Sequence, residues 1–89
     1  MRALLALALC WGYAGSDDVT AVGVASRRTR GYAEQEAIVA AKDDGFRQCD
    51  ERKRDWYYDQ LLSNDCFETG RDEVECTAKV CGHCTAREP

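Results

Sequence analysis

Hydrophobic and polar residues alternate most regularly between residues 72 and 81. An extended chain places Val74, Cys76, Ala78 and Val80 on one face and Glu73, Glu75, Thr77 and Lys79 on the other. This alternation predicts a strand with one face packed on a core and one face in water. Because Cys76 lies on the apolar face, we expect it to be a buried half-cystine.

Two further elements precede that strand. Residues 19–26 are β-branched and apolar without any charge, which predicts a strand. Residues 33–49 predict a helix, because small and apolar residues recur there at spacings of three and four. The narrow face of this helix consists of Ala37, Ile38, Ala41, Gly45 and Cys49.

The rest of the chain gives weaker patterns. Oppositely charged residues three and four apart predict a second helix, or a continuation of the first, over residues 47–62. Residues 63–71 contain Asn, Asp and Gly and predict a loop held by Cys66, and residues 82–89 predict a short tail. The fold class is therefore α+β, a small disulfide-stapled domain with the order strand–helix(–helix)–strand and a minimal sheet. Two strands alone are marginal, so a third strand, a dimer contact or disulfides must complete it.

The first 14 residues have the pattern of a secretory signal peptide. Arg2 provides the positive charge, residues 3–11 form an apolar run, and small residues follow at 12 and 14. The run is shorter than the roughly 20 apolar residues that a membrane-spanning helix needs. We expect cleavage after Ala14, one domain over residues 15–89, and a secreted or periplasmic location.

An alternative anchor is present in the same segment. Leu7-Ala8-Leu9-Cys10 resembles a bacterial lipobox, which implies a lipid attached to Cys10. The sequence departs from that motif at Leu9, where a small residue is usual.

Composition narrows the function classes. The net charge is −4, and it becomes −5 once Arg2 is removed with the signal. An acidic chain is a poor partner for nucleic acid or an anionic membrane surface. Large aliphatic and aromatic residues are scarce after residue 14, so we expect disulfides to supply much of the stability.

The disulfide candidates are Cys49, Cys66, Cys76, Cys81 and Cys84. Five is an odd number, which leaves one thiol over after two bridges, whereas retention of residues 1–14 would add a sixth cysteine. The sequence leaves the connectivity open.

One short motif points to possible chemistry. Cys81-Gly82-His83-Cys84 resembles the active dithiol of protein disulfide isomerases, and that resemblance implies thiol–disulfide exchange by Cys81 and Cys84. Val80 and Thr85 stand where that family has Trp before and Lys soon after the motif. The alternative interpretation is ordinary structural half-cystines at the end of a strand.

The same segment contains potential metal ligands. Zinc accepts thiolate and imidazole ligands, and the candidate ligands are Cys76, Cys81, His83 and Cys84. A second pair of spaced ligands is absent, so we expect no metal and no other cofactor. The single histidine, His83, is expected to be an exposed tail residue.

Three adjacent aromatic residues could serve recognition. Tyr and Trp anchor many interfaces, so Trp56, Tyr57 and Tyr58 form either a binding surface or part of the core, with Trp56 in the core. We therefore expect an exported small disulfide-stabilised domain that acts as a binding or structural module and not as an enzyme. Its partner, a protein or a surface ligand, and its oligomeric state are left open. The alternatives are a thiol–disulfide redox protein and a small metal-binding protein.

Overall fold

A computed structural model of the chain describes residues 17–87. The proposed signal peptide, the lipobox and Cys10 lie outside these residues. The elements in chain order are β1 (Asp17–Arg27), α1 (Arg30–Glu51), β2 (Arg54–Gly70) and β3 (Glu73–Ala86).

The three strands form one antiparallel sheet in the order β1–β3–β2. The last strand therefore lies in the centre, and α1 packs on one face. This arrangement confirms the α+β class with a minimal, disulfide-stapled sheet. The third strand that the sheet requires is β2.

The predicted second helix over residues 47–62 is wrong. The first helix continues only to Glu51, and Lys53 then adopts a positive φ of 59°, from which the chain enters β2. Residues 63–71 are not a loop either, because β2 runs to Gly70. The predicted tail after Cys81 belongs to β3 as far as Ala86.

Small residues bring α1 very close to the sheet. The buried positions of the helix recur at a spacing of four, and they are Ala33, Ala37, Ala41, Gly45 and Cys49. Gly23 of β1 lies directly beneath: a Cβ placed there would be 2.5 Å from the Ala37 carbonyl oxygen and 2.6 Å from the Ala40 carbonyl carbon. The small helix face predicted from the sequence is thus the sheet-packing face. No helix in the described part of the chain has an apolar stretch long enough to cross a membrane.

The core is built from small side chains. Its fully buried members are alanine, valine and cysteine, and Val80 is the largest of them. Such a core removes little apolar area from water, so covalent links carry a large share of the stability.

Two disulfides link the elements. The helix–β3 bridge joins Cys49 to Cys84, and the β2–β3 bridge joins Cys66 to Cys76. Cys81 is also disulfide-bonded. No described cysteine is free, so the leftover thiol expected from five cysteines is not found here.

Side chains of α1 also bond the outer edge of β1. Asp44 Oδ2 accepts a hydrogen bond from the Val22 backbone N–H at 3.2 Å, and Gln48 Nε2 donates one to the Thr20 carbonyl at 3.3 Å. Gln48 Nε2 also donates to Asp44 Oδ2 at 3.1 Å. Two backbone groups at the outer edge of β1 therefore have partners on the helix.

Candidate binding site

The sheet face opposite α1, called the open face here, carries the exposed Val22, Lys79, the fully buried Cys81 and His83. Val22 and Val24 on β1 are 44 % and 51 % exposed, while the intervening Gly23 faces the helix. The central strand crosses this face between β1 and β2. Near the end of β3, His83 lies opposite Tyr57 of β2.

A cleft of about 390 Å³ opens on this face near the end of β3. Its lining residues are Tyr57, Tyr58, Asp59, His83 and Thr85. The rings of Tyr57 and His83 are stacked, with centroids 5.6 Å apart and planes inclined by 17°. Tyr57 is 51 % exposed, so its ring presents aromatic surface to solvent in the cleft. The ring of Tyr58 lies under Lys42 of α1.

A histidine–aspartate pair forms the polar part of the cleft. His83 Nδ1 lies 3.0 Å from Asp59 Oδ2, with 6 % of the His83 side chain and 28 % of the Asp59 side chain accessible. An ionised carboxylate only accepts hydrogen bonds, so the Nδ1–H of His83 is the donor. This bond and the stacking on Tyr57 hold the imidazole in one orientation.

A β-bulge brings the aspartate to this position. The register of β2 against β3 shifts between Tyr58 and Gln60, so Asp59 is the extra residue. Bulges re-aim side chains in this way and interrupt the alternation of a strand. The interruption explains why neither Asp59 nor the pair with His83 could be found from the sequence pattern.

Trp56 packs on the other side of the sheet. A Cβ added to Gly45 of α1 would be 2.5 Å from the Trp56 ring, and one added to Gly82 would be 2.6 Å from it. The indole therefore occupies the space left by two glycines and also contacts the helix–β3 bridge. The prediction that Trp56 belongs to the core is confirmed, whereas Tyr57 and Tyr58 reach the surface.

Each residue of Cys81-Gly82-His83-Cys84 has a structural partner. Cys84 is bonded to Cys49, Cys81 is in another disulfide, Gly82 accommodates Trp56, and His83 bonds Asp59. Both cysteines are fully buried, and their spacing of three along a strand puts them on opposite faces. The expectation of an exposed tail histidine is wrong, because His83 is 5 % exposed.

This geometry differs from that of a reactive dithiol. An attacking cysteine needs an accessible thiolate, usually at a helix N-terminus, and Cys81 and Cys84 lie inside the central strand. The four metal-ligand candidates include three half-cystines, which offer no thiolate. Within residues 17–87, no group of three or more Cys, His, Asp or Glu side chains has metal-binding geometry.

A larger groove of about 470 Å³ runs between α1 and β2. Its aliphatic walls include Val39 and Leu61. Its charged side chains already have partners: Glu34 bonds Arg30, and Lys42 lies over the Tyr58 ring. The described lining of the groove contains no aromatic residue, which distinguishes it from the open-face cleft.

Arg87 fixes the chain just beyond the cleft. Its guanidinium donates to Asp55 at 3.0 Å, to Asp50 at 3.2 Å and to the Arg54 carbonyl at 2.7 Å. The hydrogen bond with Asp55, followed by that with Asp50, raises the pKa of Arg87. The ends of α1 and β3 and the start of β2 are thereby held together.

No protein family model matches this chain, and no curated protein or solved structure matches it either.

Proposed function

We propose that this chain is an exported, disulfide-stabilised binding module that contacts its partner through the open-face cleft. The observation that carries the proposal is the combination of exposed aromatic surface with a rigid polar pair. Binding sites place a few fixed polar groups among aromatic and apolar surface, and the cleft has this composition. Rigid tyrosines also lose little conformational entropy when they are covered.

Export is supported by two independent features. Residues 1–14 have the charge, apolar run and small residues of a signal peptide. The described part of the chain contains two intrachain disulfides, which persist mainly in oxidising compartments. A secreted or periplasmic location accounts for both.

The thiol–disulfide and metal-binding alternatives draw no support from the arrangement of the cysteines. Each would require cysteines that are now in separate disulfides to become available as thiolates. A binding role leaves the disulfides intact as structural links.

The test is a nuclear magnetic resonance titration of the exported, oxidised chain with a panel of capped single amino acids. We expect the amide shifts to cluster at Tyr57, Asp59 and His83. Tyr57→Ser should abolish these shifts, because it removes the aromatic wall of the cleft.

Val39→Ser is the matched control, since Val39 is 55 % exposed and lines the groove between α1 and β2. It should leave the titration unchanged. Shifts that cluster at Val39 and Leu61 would move the binding site to that groove, and an absence of shifts throughout would contradict a binding role for the cleft.

A further inference from the structure

The helix–β3 and β2–β3 bridges differ in how accessible their sulfurs are. Both ends of the helix–β3 bridge, Cys49 and Cys84, are completely buried. In the β2–β3 bridge Cys76 is equally buried, but Cys66 is partly exposed. Thiol–disulfide exchange requires a thiolate to reach one sulfur of the bond. Cys66 is therefore the accessible half-cystine among these four.

The place of Cys66 in the sheet leaves room for the attacking group. A thiolate approaches a disulfide along the line of the S–S bond, from the side opposite the sulfur that leaves. Cys66 and Cys76 are direct cross-strand partners, with Cys76 on the central strand and Cys66 on the outer strand β2. The line from Cys76 to Cys66 therefore points mainly beyond the outer edge of β2. The opposite line, onto Cys76, comes from the side of β1.

The groove between α1 and β2 leads to the same sulfur. Its lining includes Glu34 and Asn64, and Asn64 lies two positions before Cys66 on the same face of β2. Glu34 also forms an ion pair with Arg30 at 3.2 Å, so its negative charge does not act alone on an incoming thiolate. A small thiol in the groove is thus beside Cys66.

Both sulfurs of the β2–β3 bridge face acceptors that a disulfide does not use. Glu34 Oε2 is 3.9 Å from Cys66 Sγ, and the Arg30 carbonyl oxygen is 4.0 Å from Cys76 Sγ. A disulfide sulfur has no proton to donate, whereas a thiol is a weak donor. The two contacts become hydrogen bonds when the bridge opens, so both thiols have partners where they already lie.

We propose that Cys66–Cys76 is an exchangeable disulfide, opened by an external dithiol whose thiolate attacks Cys66. The thiolate bonds Cys66 Sγ, and the electron pair of the broken S–S bond leaves on Cys76 Sγ, which takes up a proton. The second thiolate of the reductant attacks the mixed disulfide and releases Cys66, which is protonated in turn. Two electrons and two protons pass to the bridge, and the dithiol becomes a disulfide.

This exchange site is separate from the open-face cleft. Cys66 is nine residues beyond Tyr57 on β2, which corresponds to about 25 Å or more along the strand. The helix–β3 bridge still joins the end of α1 to the central strand when Cys66–Cys76 is open. We therefore expect the chain to stay folded, with the cleft unchanged, after this one bridge is reduced.

The experiment treats the exported, oxidised chain with dithiothreitol under native conditions, followed by acid quenching, alkylation and peptide mass mapping. We expect Cys66 and Cys76 to be labelled at least about tenfold faster than Cys49 and Cys84, because access limits the attack. The helix signal in circular dichroism should persist while only the first pair is labelled. A second run with the neutral monothiol 2-mercaptoethanol should place the mixed disulfide on Cys66.

Glu34→Ala tests the acceptor of the reduced form. It should shift the equilibrium with dithiothreitol about twofold to fivefold towards the closed bridge, because the Cys66 thiol loses its hydrogen bond. Glu36→Ala is the matched control: it makes the same charge change on the same helix, where Glu36 bonds Arg27. It should leave the equilibrium unchanged.

Each part of the proposal has a result that would overturn it. Equal labelling rates for the two bridges would indicate opening by unfolding of the whole chain, and faster labelling of Cys49 and Cys84 would reverse the order. A mixed disulfide on Cys76 would refute the direction of attack. Loss of the helix signal as Cys66 and Cys76 are labelled would make their bridge a structural staple only. Equal shifts for Glu34→Ala and Glu36→Ala would remove the role of Glu34.

Discussion

The contact between α1 and β1 makes a quantitative prediction for Gly23→Ala. The added Cβ would lie 2.5 Å from the Ala37 carbonyl oxygen, whereas ordinary contacts begin near 3.4 Å. The helix would therefore have to move away from β1 by about 1 Å. Because the atoms in the way belong to the helix backbone, no side-chain rotation can relieve the clash.

Overpacking of a core typically costs 1–3 kcal/mol, and a clash with backbone belongs at the upper end. We expect Gly23→Ala to lower the free energy of unfolding by about 3 kcal/mol. For a domain of this size, each kcal/mol shifts Tm by roughly 4–8 °C, so the melting temperature should fall by about 12–24 °C. Circular dichroism with the disulfides intact measures the change.

Gly31→Ala provides the matched control. Gly31 is in the first turn of α1, and a Cβ there would have nothing within 4 Å. Alanine favours the helix over glycine by up to about 1 kcal/mol, so this variant should melt at the same temperature or slightly higher. If Gly23→Ala melted within 3 °C of the unsubstituted protein, which is under about 1 kcal/mol, α1 would not be seated on β1 as described.

Three further predictions concern the cysteines and the N-terminus. Replacing both cysteines of the helix–β3 bridge by serine should cost about 4 kcal/mol, and replacing both of the β2–β3 bridge about 3 kcal/mol, because the separations are 35 and 10 residues. Thermal melts of the two variants check this order, and an unchanged melting temperature in reductant would contradict a stapling role. Intact mass of exported protein should place the mature N-terminus near Gly15. A retained Met1 would contradict cleavage, and a lipid mass on Cys10 would support the anchored alternative. The oxidised protein should not reduce or reshuffle insulin disulfides, because Cys81 and Cys84 are buried in the central strand. Turnover that is lost in a folded Cys81→Ser/Cys84→Ser variant would establish the redox alternative.

The elements with a regular pattern could be predicted from the sequence. The alternation around Val74 and Val80 identified β3, and the small residues at spacings of three and four identified both α1 and its packing face. The scarcity of large aliphatic side chains indicated a core that depends on disulfides. For α1 and for the first half of β3, one physical period holds throughout, nearly four residues for the helix and two for the strand.

β2 was missed because its period is interrupted. Register shifts after Tyr58, Leu61 and Glu68 each insert an extra residue, so no face of the strand repeats every second position. The end of α1 could not be predicted either. Lys53 has the left-handed backbone that usually requires glycine at the end of a helix, so the sequence contains no such signal there. Charged residues at helical spacing around Asp50 and Arg54 then favoured a helix that the backbone does not form.

The candidate site depended on those same irregularities. Tyr57 could be proposed as a surface residue from its type, but Asp59 reaches His83 only through a bulge. His83 was assigned to a tail because the neighbouring Gly82 interrupts the apolar alternation. Glycine is needed at position 82 because the Trp56 ring, from a distant part of the sequence, fills the space that a side chain would occupy.

At the outer edge of β1, Asp44 accepts a hydrogen bond from Val22 N–H and Gln48 donates one to the Thr20 carbonyl, which makes the two edges of the sheet unequal. A strand from another molecule cannot add at Val22 or Thr20 without first displacing these side chains. Among the described residues, growth of the sheet is therefore directed to the outer edge of β2, beyond the Arg54 carbonyl that Arg87 already bonds. If two molecules pair there, the edges of β1 that Asp44 and Gln48 occupy face outward. Such pairing closes at two copies and does not propagate into a fibre.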